Sequence, residues 1–300
     1  MCKIKVIKHS KYVCLVSRQL KRQRTPHSPF VHRAARNILM AKIIDIHCHD
    51  WLGEEPDDMN SLLRRILGMA DKAGIHKLVM LGNVMRFGSA RFSQEQIRAV
   101  NTATSERIRM NPGRMTGFCF MNPSLDPGFV REEIDRCVID YDFRGIKLEH
   151  DLNVRDEKMS VVMNKAAEHG ITVLQHSWYV TSGGQEFSSE PRDIACLAAK
   201  YPDVRIIMAH LTGCLMRGVV DVEEYPNVWI DTSGGQPVSG LVEYAVEHLG
   251  ADRVVFGSDI PGRDFSCQLG RIYGAAIKKK DQEKILWKNA EILLKPTTVS

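Results

Sequence analysis

Eight short, β-branched apolar runs recur from residue 43 onward, each separated from the next by a longer amphipathic stretch, and any fold for this chain must accommodate that alternation. The runs are Ile43 to Ile46, Lys77 to Leu81, Met115 to Met121, Gly145 to Leu148, Ile171 to Gln175, Arg205 to Ala209, Val228 to Asp231 and Val254 to Gly257. The stretches between them read as helices, for example Met59 to Ala73, Pro127 to Tyr141, Lys158 to Ala167, Pro191 to Lys200 and Gly240 to Leu249. Several of these are closed by a glycine, at 74, 170 and 250, where a helix needs a left-handed residue. Strands joined by helices must run parallel, and eight of them predict a single (β/α)8 TIM barrel over residues 40–300. A doubly wound open sheet is the competing architecture, but no GxGxxG follows a strand and no GxxxxGK[ST] occurs.

Charge separates the two ends of the chain. The formal net charge is +5, yet the first 39 residues hold ten Lys or Arg and no Asp or Glu, which leaves residues 40–300 with 31 basic against 36 acidic side chains. A nucleic-acid partner needs a basic face on the folded body, so such binding is not expected. Residues 1–39 lack the apolar block of a secretory signal and read as a basic extension, disordered or untranslated, because Met40 opens a natural first strand. No apolar run approaches the roughly 20 residues of a membrane span, so no membrane partner is expected. Eight cysteines without a CxxC pair fit a reducing, cytoplasmic setting.

The polar residues that end these strands carry the chemistry. His47 and His49 end the first strand, His176 follows the fifth, His210 the sixth and Asp259 the eighth. In a (β/α)8 barrel the C-terminal ends of the strands form the rim where active sites assemble, so residues distant in sequence meet there. An HxH pair alone is a weak signal among eleven histidines. The contrast with His169 and His248, which sit near helix C-termini, and with His76, in a turn, makes the strand-end set informative. Imidazoles with a carboxylate suit Zn2+, with Mn2+ and Fe2+ as alternatives, and an incompletely filled shell can activate a water as nucleophile. His210, left unliganded, then acts as general acid or base, and Asp259 both holds the ion and takes a proton from the water.

These residues, with the segments IIDIHCH, GRMTGFCFMNP, RGIKLEH, VLQH, IIMAHLTG, NVWIDTSG and VVFGSDIP in order from Ile43 to Leu294, resemble the amidohydrolase-related metal-dependent hydrolases. That family includes aminocarboxymuconate-semialdehyde decarboxylase. The resemblance implies a barrel with one divalent metal held by His47, His49, His176 and Asp259, and a catalytic histidine at His210. The fourth strand departs from the family pattern: Glu149 stands where Gly-x-Lys-x-His would place a histidine. Lys147 and Glu149 are therefore candidates either for bridging to a second ion or for orienting the ligands through a salt bridge.

Arg263 is a candidate for binding a substrate carboxylate, and Trp178 and Tyr179 for an apolar wall, each against an equally plain structural role. Asp231 to Gly235 either lines the mouth or forms an ordinary turn. The expected partner is a small molecule, and the sequence allows a homo-oligomer without requiring one. The leading functional expectation is hydrolysis of an amide, lactone or ester by a metal-activated water; non-oxidative decarboxylation of a small carboxylate is the second, and a metal-binding protein without catalysis the third.

Overall fold

The structure, a computed structural model, describes residues 42–49, 56–82, 92–179 and 187–297; the expectations for residues 1–39 lie outside them. Its parallel strands are β1 (Ile44–Cys48), β2 (Lys77–Met80), β3 (Met115–Gly117), β4 (Cys119–Met121), β5 (Gly145–Leu148), β6 (Thr172–Gln175), β7 (Ile206–Met208), β8 (Val228–Asp231) and β9 (Val254–Val255). The sheet closes where the Ile46 amide donates to the Phe256 carbonyl at 3.0 Å and the Asp259 amide to the His47 carbonyl at 2.8 Å. This is the expected (β/α)8 TIM barrel, with one correction. The run Met115 to Met121 is not one strand but two, β3 and β4, interrupted at Phe118.

The interruption has a local cause. Phe118 turns its ring into the barrel interior beside Ile44, Ile46, Val79, Leu81, Leu174 and Ile207. Its own amide still donates to the Met80 carbonyl at 3.0 Å. The next ladder bond would run from the Phe120 amide to the Gly82 carbonyl. The side chain of Asn101 takes its place, accepting from Phe120 N at 2.9 Å and donating to Phe120 O at 3.0 Å. Asn101 lies on a helix outside the barrel, α2 (Gln94–Met110), whose first turn is closed by a capping box between Ser93 and Gln96. The Gly82 carbonyl is thereby left free to turn toward the rim.

The other connecting helices are α1 (Pro56–Ala73), α3 (Pro127–Ile139), α4 (Met159–His169), α5 (Pro191–Lys200), α6 (Leu211–Asp221), α7 (Leu241–Leu249) and α8 (Phe265–Tyr273). Gly74, Gly170 and Gly250 follow three of them with φ of 75°, 62° and 74°, the left-handed conformation expected of helix-ending glycines. The helices bury an apolar layer against the outer face of the sheet, separate from the smaller cluster inside it. At the floor, Ala290 and Leu293 plug the interior cluster, and Thr172 donates to the Leu293 carbonyl at 2.7 Å. Among the described residues no helix is long and apolar enough to cross a membrane.

Candidate metal centre

β1 carries one extra residue against β2: Asp45 pairs with Leu78 but Cys48, not His47, pairs with Met80. Such a bulge shifts the alternation of side chains by one. Ile44 and Ile46 face the interior, Cys48 faces the outer layer, and His47 and His49 fall on the inner side at the rim. Asp45 holds the bulge from behind, accepting the amides of His47 at 3.1 Å and Ser258 at 2.9 Å. Its carboxyl is raised to about 6, chiefly by burial.

The partners of the two histidines fix their tautomers. His47 Nδ1 donates to Asp231 Oδ2 at 2.7 Å, and His49 Nδ1 donates to the freed Gly82 carbonyl at 3.1 Å. Burial, then the neighbouring His47 and Lys147, push His49 down to about 3, so its ring is neutral. The neutral ring of His49, with its hydrogen on Nδ1, therefore carries its lone pair on Nε2. The Nε2 atoms of His47 and His49 face each other at 3.2 Å, and Asp259 Oδ1 stands 3.7 Å from both. Two imidazole nitrogens and a carboxylate oxygen converging in this way form a candidate donor set for a divalent cation.

The fourth expected ligand stands one step round the rim. His176 follows β6 with Nδ1 3.2 Å from His210 Nε2 and 3.1 Å from Glu149 Oε2, and its ligand atoms group with Glu149 and His150 rather than with the first three residues. Glu149 is largely but not fully buried, its side chain 13% exposed. Burial alone would raise its carboxyl, but the ammonium of Lys147, 2.9 Å away, and then His176 hold it well below the usual range. His150 stacks edge-on against His176 at 3.8 Å between ring centres and is pushed down to about 4, first by burial and then by His176.

His210 lies between the two groups, with its ring centre 5.0 Å from that of His47 and 4.5 Å from that of His176. Burial, then His176 and His47, depress its basicity well below the ordinary histidine value, so it is a neutral base with Nδ1 bonded to Ser233 Oγ at 2.9 Å. Both His210 and Asp259 adopt left-handed backbone, with φ of 70° and 64°. This conformation costs a non-glycine residue on the order of 1–3 kcal/mol and is tolerated where the surroundings over-determine it. Asp259, whose side chain is one-fifth exposed, has its carboxyl raised chiefly by burial, against the pull of His47 and Lys147.

The secondary candidates part company. Trp178 stands against His210, 5.6 Å between ring centres, and closes over Gly213, so it forms a wall beside that base. Tyr179 points away and donates its hydroxyl to Asp221 on α6. Arg263 gives Nε to the Gly234 carbonyl at 3.1 Å and another donor to the Gly262 carbonyl at 2.9 Å, so part of its fork is engaged with backbone. The histidines set aside as structural behave so: His169 pairs with Asp135 at 2.6 Å and His248 with Glu223 at 3.1 Å. Asp45, His150 and Ser233 carry no signal beyond their neighbourhood in sequence. Asp231 did carry one, since it ends its strand as the other site residues do.

A parallel eight-stranded barrel with this donor set at the C-terminal rim defines the class of metal-dependent barrel enzymes. The chain belongs to the amidohydrolase family, whose model matches residues 44–295. It is similar to gamma-resorcylate decarboxylase from Polaromonas sp. (strain JS666 / ATCC BAA-500), 23% identical over 88% of this chain and 96% of the relative. Among solved structures it is similar to 5-carboxyvanillate decarboxylase from Sphingomonas paucimobilis, with a TM-score of 0.68 and 16% identity over 86% of this chain and 100% of that one. A dihydroxybenzoic acid decarboxylase from Polaromonas sp. JS666, with bound manganese and the inhibitor 2-nitroresorcinol, matches with a TM-score of 0.67 and 19% identity over 85% and 97% of the two chains.

Proposed function

We propose that this protein is a divalent-metal-dependent decarboxylase of a small hydroxylated aromatic carboxylate. The observation that carries the metal requirement is the convergence of the Nε2 atoms of His47 and His49, 3.2 Å apart, on Asp259 Oδ1, 3.7 Å from both. The names of the similar proteins, all three decarboxylases, favour carbon–carbon cleavage over the hydrolysis that heads the expectations from sequence. Manganese in one of them makes it a stronger choice than zinc.

When bound by His47, His49, His176 and Asp259, a divalent ion supplies positive charge that anchors an anionic substrate and draws electrons from its oxygens. The remaining steps fall to side chains. His210, neutral and with a lone pair on the Nε2 that lies 3.2 Å from His176 Nδ1, accepts the proton of a ring hydroxyl next to the carboxylate, which raises electron density on the carbon bearing that carboxylate. Asp259, whose carboxyl is raised by burial above the ordinary carboxylate value, relays a proton from water to that carbon. The carbon–carbon bond then breaks, its electron pair returns to the ring, and carbon dioxide leaves. His210 gives its proton back to the ring oxygen. Trp178 limits the access of water to His210.

The test is a panel of ortho-hydroxybenzoates run in deuterium oxide with manganese. The expected result is carbon dioxide release with one deuterium at the vacated ring carbon. Solvent oxygen-18 in the products of a lactone or amide panel, with no carbon dioxide from the benzoates, would establish hydrolysis instead. No turnover on either panel, with metal bound, would leave a binding protein.

A further inference from the structure

Asp231 ends β8, is fully buried, and touches both halves of the site without belonging to the converging donor set. Its Oδ2 accepts His47 Nδ1 at 2.7 Å. Its Oδ1 accepts the backbone amides of His210 and Ser233, each at 3.0 Å, and the Ser233 hydroxyl. Three donors gather on Oδ1 and one on Oδ2, and only an ionised carboxylate, which has no hydrogen of its own to place against any of them, accepts all four. The Ser233 hydroxyl, having given its hydrogen to Asp231, can only accept, and His210 Nδ1 lies 2.9 Å from it. Its oxygen also lies 3.3 Å from His47 Nδ1. Both histidines are thus obliged to carry hydrogen on Nδ1 and to present Nε2 as a lone pair.

We infer that Asp231, extended by Ser233, is a positioning residue that fixes the tautomers of His47 and His210 from a single carboxylate, so that ion retention and proton transfer depend on the same side chain. The inference rests on the metal-dependent reading above. An amide at position 231 would set an N–H against one of the four donors. Opposite His47, it forces the hydrogen of that ring onto Nε2, where it blocks coordination. Opposite Ser233, it turns the hydroxyl and removes the acceptor from His210. Loss of Ser233 alone spares Oδ2 and therefore spares His47.

Asp231→Asn and Ser233→Ala separate the two branches. Manganese affinity is measured by competition with a chelator, histidine tautomers by nitrogen-15 NMR of the metal-free protein, and kcat and KM on whichever benzoate is turned over. Asp231→Asn is expected to weaken manganese binding roughly 10–100-fold, the range seen when the hydrogen-bond partner of a ligating histidine is lost. Ser233→Ala is expected to keep wild-type manganese affinity, lower kcat with little change in KM, and give a His210 signal no longer confined to the Nδ1–H form. Wild-type affinity in Asp231→Asn overturns the inference while the metal reading stands. If Asp231→Asn does not fold, Ser233→Ala decides alone: an unchanged His210 tautomer, or loss of manganese together with activity, overturns it. A wild-type protein that binds no manganese brings down the metal reading itself, a different result from either.

Discussion

At the scale of single residues, burial and partners divide chemically similar groups into different roles. His49→Ala is expected to remove most bound metal, because it deletes one of two facing imidazole nitrogens. His210→Ala is expected to keep the ion and lose about 10²–10⁴ in turnover, the usual range for a general acid or base. Elemental analysis beside steady-state rates checks both, and an ion lost from His210→Ala would reverse the assignment of ligand and base. Glu149 gives a pH test. Its folded-state value is depressed, so its stabilising effect is complete above the ordinary Glu value of 4.5 and is lost as pH falls through that value toward the depressed one. Glu149→Gln should therefore show a shallower loss of stability on acidification in denaturant titrations, and an identical slope would disprove the pairing with Lys147. The rim positions of His47, His49, His176 and Asp259 were legible because each lies at or just beyond the C-terminal end of a strand run. The place of His176 beside Glu149 and His150 was not, since a strand end sets the rim position and not the direction of the ring.

At the scale of elements, apolar runs marked where the described strands lie, because buried parallel strands have little room for anything else. The break at Phe118 was invisible, since MTGFCFM is as apolar as an unbroken strand and the cause sits on α2, at Asn101. The bulge in β1 was equally hidden: IDIHCH alternates cleanly on paper, and only the pairing with β2 shows the extra residue. Asn101→Ala should leave the amide of Phe120 without a buried partner, whereas Glu133, 2.9 Å from the Asn101 amide, keeps its two bonds from Arg136. A loss of about 1–3 kcal/mol in urea unfolding is expected for the group so stranded. A change near zero would mean that the surrounding helices close over the gap.

At the scale of the whole molecule, the barrel seam and the metal centre coincide. The Asp259 amide donates to the carbonyl of His47, so the two ends of the barrel are joined at residues proposed as ligands. Chelation should therefore lower the melting temperature, and free manganese at about a hundred times its dissociation constant should restore roughly 2.7 kcal/mol. Calorimetry with and without chelator checks this, and an unmoved transition would argue against an ion at the seam. One ion per chain is expected from elemental analysis; two would place Glu149 among the ligands.

That seam also orders events during synthesis. A ribosome exposes His47 and His49 more than two hundred residues before Asp259. An emerging chain therefore has the histidine pair long before it has the carboxylate that completes the donor set, and full coordination must wait until the last strand docks against the first. Loading of the cation then becomes a late checkpoint of biogenesis, and nascent chains stalled short of Asp259 should take up far less manganese than released ones.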